Sequence, residues 1–254
     1  MNRRGSAADW LVGLSCVLCL LGSGCGRGKP KPLPPPVASA SHVPCEGGET
    51  RDPPHQEVRP AIQALRGKDY DSAVRLLEAL LPKYPESSSL RVWLGDARAG
   101  VGTDASVQAA SDSYSEALAL AARGCKLRER EQFFIAVGMA DVEIRQKNAA
   151  RALEALSAAE ARWPGNAEVA YDRARVECLR ERRDACFDEL KSALRLAQSR
   201  EHSRFSRSHH FSDRLAERAA SQPEFEVLRK QPRYRALLAT VSDAGVDDAE
   251  RVRP

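Results

Sequence analysis

Residues 152–164 read ALEALSAAEARWP, with an alanine, a leucine, a second alanine and a proline at positions 152, 156, 159 and 164. Residues 73–85, AVRLLEALLPKYP, repeat this spacing, with Leu80 in place of the second alanine. The small side chains let two antiparallel helices approach closely, and the large one fills the gap between neighbouring hairpins. Proline cannot continue a helix, so it marks the boundary of each segment. The spacing therefore predicts stacked helical hairpins.

Further copies extend the pattern along the chain. Cys186 lies 34 residues after Ala152 and is followed by Leu190 and Ala193, again small, large and small. Tyr114 and Ala117 belong to another copy. Apolar-periodic stretches precede these second helices at residues 58–65, 90–99, 133–144 and 169–179.

These motifs resemble tetratricopeptide repeats, whose unit is a 34-residue helix-turn-helix. Trp93-Leu94-Gly95 resembles a compressed form of the first-helix phrase of that family. The resemblance covers about residues 54–200, with the repeat register open between 103 and 132. It implies an all-α fold, a helix-turn-helix solenoid of about four repeats at 58–200. A plain helical bundle without a groove is the alternative.

Residues 223–238, PEFEVLRKQPRYRALL, resemble the segment that closes many repeat arrays. Without a cap the last hairpin would expose its apolar face to water. We therefore expect a pair of capping helices in 201–240, with Phe225, Leu228, Tyr234 and Leu237 as the cover. Residues 241–254 are polar and are expected to be disordered.

The N-terminus resembles an export signal. Two arginines precede an apolar run at residues 10–21, which is shorter than the roughly 20 residues of a membrane span. Gly22-Ser23-Gly24-Cys25 resembles the lipobox of bacterial lipoproteins, although Gly22 stands where that family usually has leucine. The resemblance implies a signal peptide at 1–24 and lipidation of Cys25. An ordinary signal peptide cleaved near Gly24 is the alternative.

Residues 25–57 are rich in Pro, Gly, Ser and Lys and show no apolar period, so we expect a disordered linker. Residues 30–36 hold five of its prolines and predict a stiff polyproline-like spacer. A proline-rich ligand for a recognition domain is the alternative reading of the same residues.

Motifs for catalysis are absent from the sequence. It contains no glycine-rich phosphate loop, no Gly-x-Ser-x-Gly elbow and no His-Glu-x2-His helix. His202, His209 and His210 cluster near Asp213, but arginines surround them and a solvated helix start explains them better than a metal site. We expect no enzymatic activity, no cofactor and no metal.

Five cysteines remain after the signal peptide: Cys25, Cys45, Cys125, Cys178 and Cys186. If Cys25 is lipidated, four are left for an oxidising compartment. Cys178 and Cys186 flank one predicted turn and could form a disulfide across it, or Cys186 is simply the small residue of its repeat. A bond between Cys45 and Cys125 would tie the linker to the array.

In tetratricopeptide proteins, ligands lie in the concave surface formed by the first helices. The resemblance places the following residues in this partner-binding groove: Asp96, Val137, Asp141, Arg145, Glu168, Tyr171 and Arg175. Val137 and Asp141 occupy positions where clamps for a peptide carboxylate have lysine and asparagine. A mixed-charge groove with one tyrosine suits an amphipathic helix or an extended peptide. Ordinary exposed residues are the alternative.

The net charge is +4, and residues 200–235 hold nine basic and five acidic residues. An exported protein meets no nucleic acid, so we expect none as a partner; anionic lipid is the alternative contact. The sequence predicts a lipid-anchored interaction scaffold on the periplasmic face of the envelope, of the outer-membrane or pilus-assembly type. The alternative function is an accessory subunit of an envelope enzyme, such as a cell-wall synthase or hydrolase. The partner itself is not identified.

Overall fold

The computed structural model describes residues 51–198 and 211–240, without the side chains of 211–214, and the described residues contain helices and turns but no strand. The predicted signal peptide, Cys25, Cys45, the histidine cluster and the tail 241–254 lie outside them. The first eight helices are α1 (His55–Arg66), α2 (Tyr70–Leu80), α3 (Ser88–Val101), α4 (Asp104–Ala122), α5 (Glu129–Arg145), α6 (Ala149–Arg162), α7 (Ala167–Leu179) and α8 (Arg183–Ala197). They pair in chain order into four hairpins, a tetratricopeptide-like solenoid. The all-α prediction is confirmed.

Equivalent positions of the four hairpins carry the residue sizes that close helix packing requires. The first helices contribute Ala61, Gly95, Ala140 and Ala174 at one shared position, seven residues before the left-handed residue of each turn. The second helices contribute a small residue, at Ala73, Ala110, Ala152 and Cys186, and a large one, at Leu77, Tyr114, Leu156 and Leu190. All twelve are buried. The register that the sequence left open between 103 and 132 is thereby settled, because α4 brings Ala110 and Tyr114 into these positions.

The turns within the hairpins also repeat. Lys68, Lys147 and Glu181 adopt left-handed conformations with φ near +60° between the helices of the first, third and fourth hairpins. In the second hairpin Gly102 takes the left-handed conformation, with φ of 80°. The side chains of Asp69 and Thr103 cap the helices that follow them, α2 and α4, by accepting hydrogen bonds from backbone N–H groups. Because a left-handed residue reverses the chain within three residues, each hairpin stays antiparallel and compact.

The stacking of the hairpins gives the array two unlike sides. Along one side the first helices contact one another directly, α3 against α5 and α5 against α7. Each second helix packs against the first helix of the next hairpin, and α4 and α6 stay far enough apart to leave a groove between them. We call the first-helix side the inner face.

The chain ahead of α1 is held at the start of the array. Asp52 accepts hydrogen bonds from the hydroxyls of Ser87, at 2.6 Å, and Ser89, at 3.1 Å, and also pairs with Arg128. The Ser89 hydroxyl also lies 2.8 Å from Glu131, and its single proton is donated to one of these two carboxylates at a time. This polar cluster joins the segment before α1 to the N-terminal ends of α3 and α5. Residues 51–54 are therefore fixed to the second and third hairpins.

The C-terminal segment covers the fourth hairpin. It comprises α9 (Phe211–Ser221), a 3-10 turn (Pro223–Phe225), α10 (Glu226–Arg229) and α11 (232–240). Phe225, Leu228 and Tyr234 are buried in one core with α7 and α8, and Leu237 packs against that core. The hydroxyl of Tyr234 donates to the carbonyl of Ala219 at 2.7 Å. These side chains form the apolar cover expected of a cap.

A disulfide joins Cys178 and Cys186 across the turn of the fourth hairpin, with Cα atoms 5.1 Å apart. Replacing both by alanine, which fits the buried small position of Cys186, is expected to lower the free energy of unfolding by about 2–3 kcal/mol because the unfolded chain loses a closed loop. Urea denaturation of the oxidised proteins measures this. An unchanged midpoint would contradict the prediction.

Candidate functional site

The partner-binding residues expected on α3 and α5 have unequal exposure. Asp96 is half-buried and accepts a hydrogen bond from the hydroxyl of Tyr114 at 2.7 Å. Val137 is buried in the core. Asp141 is buried and accepts from the exposed Arg145 at 2.9 Å. Of these four residues, Asp96 and Arg145 keep surface that a partner could contact, and their role in binding stays a prediction.

Arg175 lies at the centre of a buried ionic cluster. Its guanidinium donates to Asp141 at 2.5 Å, to Asp172 at 2.9 Å and to Glu224 at 3.0 Å. Burial opposes the charge on Arg175, but the three carboxylates outweigh that penalty and raise its pKa well above the usual value. The cluster joins α5, α7 and the 3-10 turn of the C-terminal segment. Arg175 is therefore a structural cation rather than an exposed ligand-binding one.

The other two expected residues of α7 are covered by the same segment. Arg218 of α9 donates to Glu168 at 2.7 Å and lies over the ring of Tyr171, 4.5 Å from its centroid. Phe225 packs edge-on against Tyr171 with centroids 5.4 Å apart. Desolvation raises the pKa of the Tyr171 hydroxyl, against the nearby Arg218, so the ring stays neutral at physiological pH.

The inner face at the fourth hairpin is consequently closed by the chain itself. We expected Asp141, Glu168, Tyr171 and Arg175 to be exposed in a groove, and the structure buries all four. The capping segment covers Glu168 and Tyr171 through Arg218 and Phe225. It also supplies Glu224 to Arg175, and Arg175 in turn pairs with Asp141. Sequence reasoning identified the cap and these residues separately, without the contact between them.

An apolar opening in the described part of the chain lies on the opposite side, between α4 and α6. We call it the apolar groove. It is lined by Leu118, Ala121, Cys125, Lys126, Leu127, Gln132, Ile135, Ala136, Met139, Ala155, Ala158, Ala159, Arg162 and Trp163. Its volume of about 750 Å³ falls within the range of ligand-binding clefts. It is large enough for a short peptide segment.

Several features distinguish the apolar groove from ordinary surface. Leu118 is 42% exposed, which is high for a leucine beside other apolar side chains. Trp163 is 9% exposed, and its indole N–H has no acceptor within the described residues. Lys126 and Arg162 are exposed and bring positive charge to the rim. Arg162 also lies over the Trp163 ring, 5.3 Å from its centroid.

The sequence pattern did not reveal this groove. The pattern does not single out Leu118, and it predicts that Ala152 and Ala159 of α6 serve close helix packing. The available signal was the run of six apolar residues after Glu116, which covers more than one face of an amphipathic helix.

A disulfide-bonded cysteine lies at the rim of the apolar groove. Cys125 is disulfide-bonded. Its expected partner, Cys45, lies outside the residues that the structure describes, so the pairing with Cys45 stays a prediction.

Within the described ranges, no three His, Cys, Asp or Glu side chains are placed to hold a metal ion. None of the helices there combines the length and the apolar character needed to cross a membrane.

No family model matches this chain, and no curated protein is significantly similar to it in sequence. Among solved structures, the chain is similar to TTC0263, a thermophilic TPR protein of Thermus thermophilus, with 21% identity and a TM-score of 0.49. That similarity covers 74% of this chain and 97% of the other. The helices of this chain and the contacts between them show the stacked hairpins directly.

Proposed function

We propose that this protein is a non-enzymatic interaction scaffold that is exported and anchored to the bacterial envelope by a lipid on Cys25. The observation that carries the scaffold role is the apolar groove between α4 and α6. A repeat array gains nothing in stability from an exposed Leu118 beside the half-buried Met139, whereas a partner that covers these two side chains gains the hydrophobic free energy of burial.

The charges at the rim specify the chemistry of the partner. Lys126 and Arg162 flank an opening whose other lining residues are apolar except for Gln132, so the fitting ligand is an apolar peptide segment with acidic residues beside it. Such a segment also supplies a carbonyl oxygen to the indole N–H of Trp163, which has no acceptor among the described residues. The partner is accordingly an envelope protein that presents a short acidic-apolar segment.

A photocrosslinking amino acid at position 118 tests this function in intact cells. The matched control is position 76, because Leu76 on α2 is 40% exposed and lies outside the groove. We expect capture of a defined envelope protein from position 118 and not from position 76, with at least tenfold less capture in a Lys126→Glu variant. Equal capture from both positions, no capture, or capture unaffected by Lys126→Glu would overturn the proposal.

The anchor has a separate test. Labelled palmitate is expected to be incorporated into the wild-type protein and not into Cys25→Ala, and the variant is expected to leave the membrane fraction. Two acyl chains hold a protein firmly at a bilayer because each buried methylene contributes about 0.8 kcal/mol. A Cys25→Ala protein that remains membrane-bound would refute the lipid anchor without affecting the scaffold proposal.

A further inference from the structure

Two described contacts bring the N-terminal part of the chain to the apolar groove. Cys125 lines the groove and is disulfide-bonded, while Cys178 and Cys186, the other cysteines in the described ranges, bond to each other. The partner of Cys125 therefore lies outside those ranges. The remaining cysteines of the chain, Cys16, Cys19, Cys25 and Cys45, all precede residue 51.

The second contact is the ion pair of Asp52 with Arg128. Arg128 follows Leu127, which lines the groove, and is three residues from Cys125. The chain thus enters the array next to the groove rim. Asp52 lies seven positions after Cys45, and an extended chain of that length spans at most about 24 Å. Cys45 is also the cysteine that closes the shortest loop, which costs the least entropy.

The residues around Cys45 match the chemistry of the groove. Val43 and Pro44 are apolar and directly precede the cysteine, and Glu46 and Glu49 follow it. The apolar pair suits the surface formed by Leu118, Ile135 and Met139. The two carboxylates complement Lys126 and Arg162, and a backbone carbonyl of the segment would satisfy the indole N–H of Trp163.

We propose that residues 43–49 of the chain occupy the apolar groove, held there by a disulfide between Cys45 and Cys125. This inference rests on the proposed function, because it names the regulation of the same site. The tethered segment is present at a high effective concentration, so it competes with an external partner. Partner binding then requires displacement of the segment, and displacement is easiest after a dithiol has reduced the Cys45–Cys125 bond. In that exchange the dithiol is oxidised to its own disulfide, and Cys45 and Cys125 each become a thiol.

The experiment is hydrogen exchange of the full mature chain combined with disulfide mapping by mass spectrometry. In the oxidised wild type, we expect a bond between Cys45 and Cys125, and amides of residues 46–49 that exchange at least tenfold more slowly than in the Leu118→Asp variant. Leu76→Asp is the matched control and is expected to leave that protection unchanged. Both leucines are exposed, so neither substitution removes core packing.

A disulfide from Cys125 to another cysteine would overturn the inference, as would equal exchange of residues 46–49 in the wild type and in Leu118→Asp. Loss of protection in Leu76→Asp as well would also overturn it, because the effect would not be specific to the groove. These results are independent of crosslinking in cells. If residues 46–49 are protected from exchange but position 118 captures no partner in cells, the scaffold role is refuted and the segment still occupies the groove.

Discussion

Replacing Arg175 with methionine is expected to lower the free energy of unfolding by about 3–5 kcal/mol. The side chain is 2% exposed and pairs with Asp141, Asp172 and Glu224. Methionine keeps most of the volume but removes the buried cation that these three carboxylates share. Urea denaturation followed by circular dichroism measures the loss.

Arg173→Met is the matched control for that change. Arg173 lies on the same helix, is 34% exposed and pairs with Glu189 at 3.5 Å. Exposed ion pairs contribute about 0–1 kcal/mol, so the control is expected to stay within that range. Similar losses in the two variants would mean that the Arg175 cluster does not hold the C-terminal segment against α5 and α7.

Replacing Tyr114 with alanine is expected to cost about 3–5 kcal/mol. The ring is completely buried where the second and third hairpins meet. It fills the space left by two glycines: a Cβ on Gly95 would lie 2.5 Å from the ring, and one on Gly138 would lie 2.3 Å from it. Alanine leaves a cavity there and removes the hydrogen bond to Asp96. Thermal and urea unfolding measure the effect.

A double-mutant cycle tests whether the ring and the glycines act together. Gly138→Ala alone is expected to cost about 1–3 kcal/mol through overpacking, and less in a Tyr114→Leu background, where the ring is gone. Gly67→Ala is the control, because its Cβ would make ordinary contacts no closer than 3.4 Å. Additive effects of the Gly138 and Tyr114 substitutions on the free energy of unfolding would contradict close packing of the Tyr114 ring against Gly138.

The sequence was sufficient to predict the helical hairpins but not to predict which of their residues are exposed. Ala152, Leu156 and Ala159 form a local pattern, and the structure buries them in the predicted helix. Glu168 and Tyr171 were expected to be exposed in the groove, but they are buried. Their exposure depends on Arg218 and Phe225, which lie about fifty residues further along the chain. No local pattern carries that information.

Helix positions, turn positions and the cap follow from the amino-acid order, because side-chain size and spacing act over one or two helical turns. The stacking of the hairpins is a different matter: it alone separates α4 from α6 and exposes Leu118 between them. The same is true of the buried charges around Arg175, which come from three separate elements. Contacts between distant segments depend on the path of the whole chain, so the open surface and the closed one became distinguishable only in three dimensions.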